Sequence, residues 1–260
     1  MQNLLDDYAQ SNALRDTSPR LKLLLGIGAM LLCVSSVTPI APLFVAITMS
    51  FIIVILAKIP TRFYCTLLLI PLSFALLSAL VVAFMHGTGN LLFSFSVLGF
   101  NLSISEDGAN LALLLIARTF GGMCCLFFIA LTTPMIEIFS VLRSLKVPEV
   151  LIELSIMIYR YIFVFLDQAI MIHNAQAMRL GNSGFKTSLN SYKMLAGVLF
   201  VRAWEQGERL MVAMDSRCYN GKLYVIEQTS KASMLATFGV VGYIAAVASI
   251  VVLTRDFRLL

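Results

Sequence analysis

Long apolar runs broken by short polar turns constrain this chain more than any other feature. Apolar residues dominate 21–37, 43–57, 63–84, 109–131 and 232–253, and only the stretch 132–231 is markedly wetter. A run of about 20 apolar residues matches the hydrocarbon core of a bilayer, where every backbone polar group has to be satisfied inside its own helix. With 59% hydrophobic residues and a mean hydropathy of +0.90, 260 residues expose more apolar surface than one soluble domain could bury. The expected fold class is therefore all-α: a polytopic membrane protein with about five transmembrane helices and a cytosolic insert of one short and two long helices. Three regions follow: an N-terminal membrane part of four helices (1–131), the insert (132–231), and a last transmembrane helix with its tail (232–260).

The first two runs are short for a span, so 21–57 reads as a tight helical hairpin around the turn Thr38-Pro39-Ile40-Ala41-Pro42. Pro71 falls inside the third run, where a bundle tolerates a kink. From Met85 to Gly108 short β-favouring runs alternate with glycine and polar breakers, which suggests a short hairpin or a re-entrant cap. Residues 1–20 are mixed and polar, a lead-in ending at Ser18-Pro19-Arg20, with neither the basic start nor the small-residue cleavage site of a signal peptide.

Loop charge sets the expected topology. Arg15, Arg20 and Lys22, then Lys58 and Arg62, then the basic residues of 132–231 alternate with turns at 38–42 and 85–108 that hold no lysine or arginine. The positive-inside rule places the N-terminus and the insert in the cytosol of a cell with an inner (plasma) membrane and the C-terminus outside, with only Arg255 and Arg258 against it. The net charge of +5 is accounted for by this pattern, and no nucleic-acid role is read into it. Phosphate-loop, dinucleotide-fingerprint and nucleophile-elbow motifs are missing. The cysteines lack metal-ligand spacing, and His86 and His173 stand alone. Catalytic residues, metal ligands and cofactors are accordingly expected to be none.

Two long helical segments remain, 147–181 and 188–219, each finishing on an arginine: Met178-Arg179-Leu180 and Ser216-Arg217-Cys218. In the first, Leu151, Leu154, Ile158, Tyr161, Phe165 and Ile172 keep the spacing of one helix face. In the second, Leu195, Leu199, Leu210 and Met214 share a face, and Glu205 and Arg209 stand four apart. Rods tipped by guanidinium groups suit the gripping of another protein. A further arginine, Arg118, sits inside the fourth apolar run. A charge there costs a few kcal/mol, so it is expected to contact a partner subunit or to anchor the bundle.

Three passages carry a resemblance: SPRLKLL at 18–24, LTTPMIEIFSVLRSLKVPEVLIELSIMIYRYIFVFLDQ at 131–168 and LFVRAWEQGERLMVAMDSRCY at 199–219. In order and separation they resemble the transmembrane coupling (T) component of energy-coupling factor (ECF) transporters, most of all its cobalt-type branch. The resemblance implies an ABC-type transporter in which this chain links a cytosolic ATPase pair to a separate substrate-binding S component in the lipid bilayer. It implies uptake of cobalt, or else nickel, with a vitamin or other micronutrient as the alternative substrate. In that family the two coupling helices end in Ala-Arg-Gly-like triplets that dock on the ATPases. The matching residues here are Met178, Arg179, Leu180, Ser216, Arg217 and Cys218, which keep the arginine and depart at the flanking small residues. A self-contained carrier would show symmetric halves, and an intramembrane hydrolase a buried acid, histidine or metal constellation. Neither pattern is present.

Overall fold

The computed structural model describes residues 4–15, 17–85, 91–97, 100–221 and 234–254. It falls into two compact units, Met1–Ile138 with Gln228–Leu260, and Phe139–Glu227.

Each of the five apolar runs forms a helix of the first unit. The first, α2 (Pro19–Ser35), opens with proline at a position whose N–H has no helical partner anyway, and ends where Ser36 turns to an extended backbone. After it comes α3 (Ile40–Phe51), which continues through a wider π-turn, Ile52–Leu56, closed by Lys58 at φ +55°. Next, α4 (Thr61–Met85) runs unbroken through Pro71. The last two are α5 (Glu106–Thr132) and α9 (Met234–Leu253). Three of the five are long and apolar enough to cross a membrane: Thr61–Phe84, Gly108–Thr132 and Met234–Leu253. At 17 residues, α2 reaches about 25 Å, so it and α3 form the expected pair of short helices.

The segment after α4 resolves as a hairpin, β1 (Leu91–Val97) and β2 (Phe100–Ser105), antiparallel from Leu91↔Ser105 to Val97↔Phe100. The lead-in is more ordered than its polarity suggested. Leu4–Ser11 is a helix, α1, and the Tyr8 ring packs 4.7 Å from that of Phe63 at the start of α4. Its polar residues are compatible with a helix because the following Asn12 donates to Ala9 O (2.7 Å) and Leu131 O (3.1 Å), which ties the segment to α5.

In the bundle, α5 packs against α1, α2, α3 and α4. The fully buried side chains Met49, Ile53, Val45, Leu131, Cys33, Cys124, Cys125 and Val247 form its core. Close approach needs Gly121, where a Cβ would lie 2.6 Å from Cys33 Sγ and 2.8 Å from the Pro42 carbonyl oxygen. Its neighbour Gly122 has open space.

Polar contacts fix the helix directions. Lys22 near the start of α2 donates to Thr132 O at the end of α5 (3.2 Å), and Arg118 donates from Nε to Ser36 O (2.9 Å), so α2 and α5 are antiparallel. Thr38 Oγ1 donates to Thr254 Oγ1 (2.9 Å), which brings the end of α9 to the α2–α3 turn. The start of α2 and the end of α9 therefore lie at opposite ends of the bundle. The outward faces stay apolar: Ile70 and Phe74 of α4 are about three-quarters exposed. Arg255, Arg258 and most of the polar link 220–231 lie outside the described residues.

The chain passes to the second unit along α6 (Met135–Ser144), then forms α7 (Glu149–Met178) and α8 (Phe185–Asp215). α8 starts three residues before the expected Ser188, because extended Gly184 takes the N-cap position and its carbonyl accepts from Ser188 N–H (2.8 Å).

Candidate partner-docking site

Helices α7 and α8 form an antiparallel hairpin stitched at both ends. At the closed end Gln176 Nε2 donates to Ser191 O (3.0 Å), Ser191 Oγ donates to Gly181 O (2.9 Å), and the His173 ring stacks on Tyr192. Gly181 is needed there, since a Cβ would come within 2.7 Å of Ser191 Oγ and 2.8 Å of Gln176 O. At the open end Tyr219 donates from its hydroxyl to Glu153 Oε2 (2.9 Å). Glu153 is 4% exposed, the one buried acid of a hairpin whose α8 buries no residue.

Both expected triplets sit at helix ends of the same construction. After α7, Gly181 N–H bonds to Gln176 O (2.9 Å) and Leu180 N–H to Ala177 O (3.1 Å), with Leu180 at φ +59°. After α8, Tyr219 N–H bonds to Met214 O (3.1 Å) and Cys218 N–H to Asp215 O (3.0 Å), with Cys218 at φ +56°. This is the Schellman motif twice over, with Arg179 and Arg217 immediately before the left-handed residue in each. Both arginines are exposed, as are Met178, Leu180, Ser216 and Cys218. The motif satisfies the backbone locally, so each guanidinium projects from a rigid stub rather than from a loop. Because the hairpin is antiparallel, Arg179 and Arg217 stand apart by nearly the length of 31-residue α8, on the order of 40 Å.

The apolar stripe of α7 faces mostly outward. Leu151, Leu154 and Ile158 are exposed, and Tyr161, Phe165 and Ile172 are half-buried. A two-helix unit has no third layer to cover a second face. In α8 Leu195, Leu199, Leu210 and Met214 are half-buried, whereas Phe185, Phe200 and Trp204 are exposed. Arg209 Nη2 reaches Glu205 (3.4 Å) at the expected spacing, a solvent-screened pair that adds little.

Arg118 belongs to the first unit, where Nε and Nη2 both donate to Ser36 O, the carbonyl left open where α2 ends. Sequence reasoning missed the Tyr219–Glu153 bond and the buried Lys22. Their signals were charges embedded in apolar runs, Glu153 in LIELSIM and Lys22 in RLKLLL. Among the described residues no three His, Cys, Asp or Glu side chains converge on one point.

A helical bundle with an apolar exterior, three of whose helices are long and apolar enough to cross a bilayer, defines a multi-pass membrane protein. The family model for the CbiQ cobalt transport protein matches residues 10–230, and the chain belongs to that family. A putative fused cobalt transport protein CbiMQ from Methanocorpusculum labreanum is 44% identical over 247 residues, 95% of this chain but only 41% of that longer protein. A cobalt transport protein CbiQ from Rhodobacter capsulatus is 28% identical over 89% of this chain and 90% of its own. An energy-coupling factor transporter transmembrane protein EcfT from Ruminiclostridium cellulolyticum is 29% identical over 69% of this chain and 67% of its own.

Proposed function

We propose that this chain is the transmembrane coupling subunit of an ECF-type transporter that takes up a transition metal ion, cobalt first and nickel next. It links a cytosolic ATPase pair to a separate membrane subunit that binds the substrate, and it is not itself the enzyme. The carrying observation is the matched pair of exposed arginines, each one residue before a left-handed cap and separated by the length of a helix. Arginine offers a planar fork of donors that stays charged inside a partner's groove. With one ATPase subunit on each end, closure of the pair on ATP shifts one end of the hairpin against the other. The outward apolar stripe of α7 and the exposed aromatics of α8 give the rest of the assembly a surface to cover.

The proposed orientation puts the Lys22–Thr132 end of the bundle in the cytosol, with the basic turn Lys58–Arg62. Co-expression with the two ATPases and the S component, followed by reconstitution in proteoliposomes, tests the function. Cobalt or nickel uptake that needs ATP and all subunits supports it. Uptake by this chain alone, or a purified complex without ATPases, overturns it.

A further inference from the structure

Lys22 is 4% exposed, in a bundle where a buried ammonium is costly unless its donors are used. It uses them across a bend. Nζ donates to Thr132 O, the last residue of α5, at 3.2 Å, and lies 3.7 Å from Glu137 Oε2 in the first turn of α6. Only Thr133 and Pro134 separate the two helices, and proline supplies a fixed φ and no N–H. Thr133 N–H still bonds back to Ile129 O (3.0 Å), while Asn12 Nδ2 takes up Leu131 O (3.1 Å). The carbonyls that end α5 are thus met by side chains from α2 and from the segment after α1. One of those side chains also holds the next helix. Glu137 is placed where the helix dipole favours a carboxylate, and burial pushes its carboxyl above the usual range while the Lys22 ammonium pulls it back.

We propose that Lys22 is a positioning residue for transport: its ammonium locks the α5–α6 elbow, so that α6 acts as a stiff lever passing movement of the docking unit to α2 and α5. This rests on the coupling function proposed above. Without the lock, the elbow bends under load and the ATPases turn over without moving the bundle.

The test uses the full complex in proteoliposomes, with ATP hydrolysis and cobalt uptake measured on the same preparation. Lys22→Met is expected to keep the ATPases and their hydrolysis but to lower uptake per ATP by about tenfold or more, within the usual span of coupling between sites. Lys22→Arg, which keeps the charge and its donors, should recover much of that ratio. A Lys22→Met complex with the wild-type ratio overturns the proposal, even if its thermal stability falls, and so does loss of the ATPases from an inserted variant. Should Lys22→Met fail to insert, Glu137→Gln carries the test: it leaves the ammonium–carbonyl bond in place, and a reduced uptake per ATP supports the lock while an unchanged ratio overturns it. A wild-type complex that holds no ATPases defeats the coupling function first, and is told apart by the control lane alone.

Discussion

Leu180 and Cys218 hold backbone conformations that side-chain-bearing residues avoid, at φ +59° and +56°, and both are exposed. A left-handed residue with a Cβ costs about 1–2 kcal/mol, while the entropy that glycine adds to the unfolded chain returns part of the difference. Leu180→Gly and Cys218→Gly should each stabilise the protein by about 0.5–1 kcal/mol, read as a higher melting temperature in detergent. An unchanged or lower value would show that the caps are not left-handed. The open end of the hairpin gives a pH prediction. Its hydrogen bond to Glu153, then burial, then the negative charge nearby, hold the Tyr219 hydroxyl above its ordinary value of 10.0. A raised folded pKa means the bond contributes fully below about pH 10 and is lost as pH rises through the higher folded value. Tyrosinate absorbance should therefore show a late-titrating component that loses one tyrosine's amplitude in Tyr219→Phe, and a late component of unchanged amplitude would contradict it. At this scale the arginines were legible in sequence, because a charge that ends an apolar helix stands out. The left-handed caps were not, since nothing in Met-Arg-Leu or Ser-Arg-Cys signals a φ that glycine would announce.

Among the elements, the adjacent glycines of α5 have opposite roles. Gly121→Ala drives a methyl into Cys33 Sγ and the Pro42 backbone, and should cost about 1–3 kcal/mol. Gly122→Ala meets nothing within 4 Å and should be neutral, or stabilising by up to about 1 kcal/mol through helix propensity. Thermal unfolding in detergent decides, and equal effects would mean that α5 does not press against α2 and α3 through this face. The Gly-Gly pair was visible in the sequence, but which member makes the contact depends on helix rotation, which low amphipathicity in an apolar helix leaves unspecified. The five apolar helices were legible because the bilayer demands length and apolarity together. α1 was not, because it relies on tertiary contacts through Tyr8 and Asn12 rather than on a pattern of its own. The face of α7 was legible as a stripe, but periodicity does not say whether a stripe meets a core or an outside partner.

For the whole molecule, the alternation of turns with and without lysine or arginine pointed to opposite ends for the start of α2 and the end of α9, and the Lys22–Thr132 and Thr38–Thr254 bonds run in that sense within the bundle. The separation of the two arginines was beyond the sequence, because it depends on how α7 and α8 pair. Their antiparallel pairing puts one arginine cap at each end of the hairpin, and under the proposed function each end takes one ATPase. The most direct test is the double variant Arg179→Ala with Arg217→Ala, assayed for retention of the ATPases and ATP-driven metal uptake, with exposed Lys193→Ala as the control. Both arginines are exposed in the isolated chain, so each substitution should change its stability by roughly 0.5 kcal/mol or less. Inside a partner groove, truncating one such group costs about 2–5 kcal/mol, and lysine, which lacks the fork, should recover only part. The expected result is a double variant that inserts at wild-type level but retains no ATPases and takes up no metal. A double variant that assembles and transports like the wild type would contradict the coupling role.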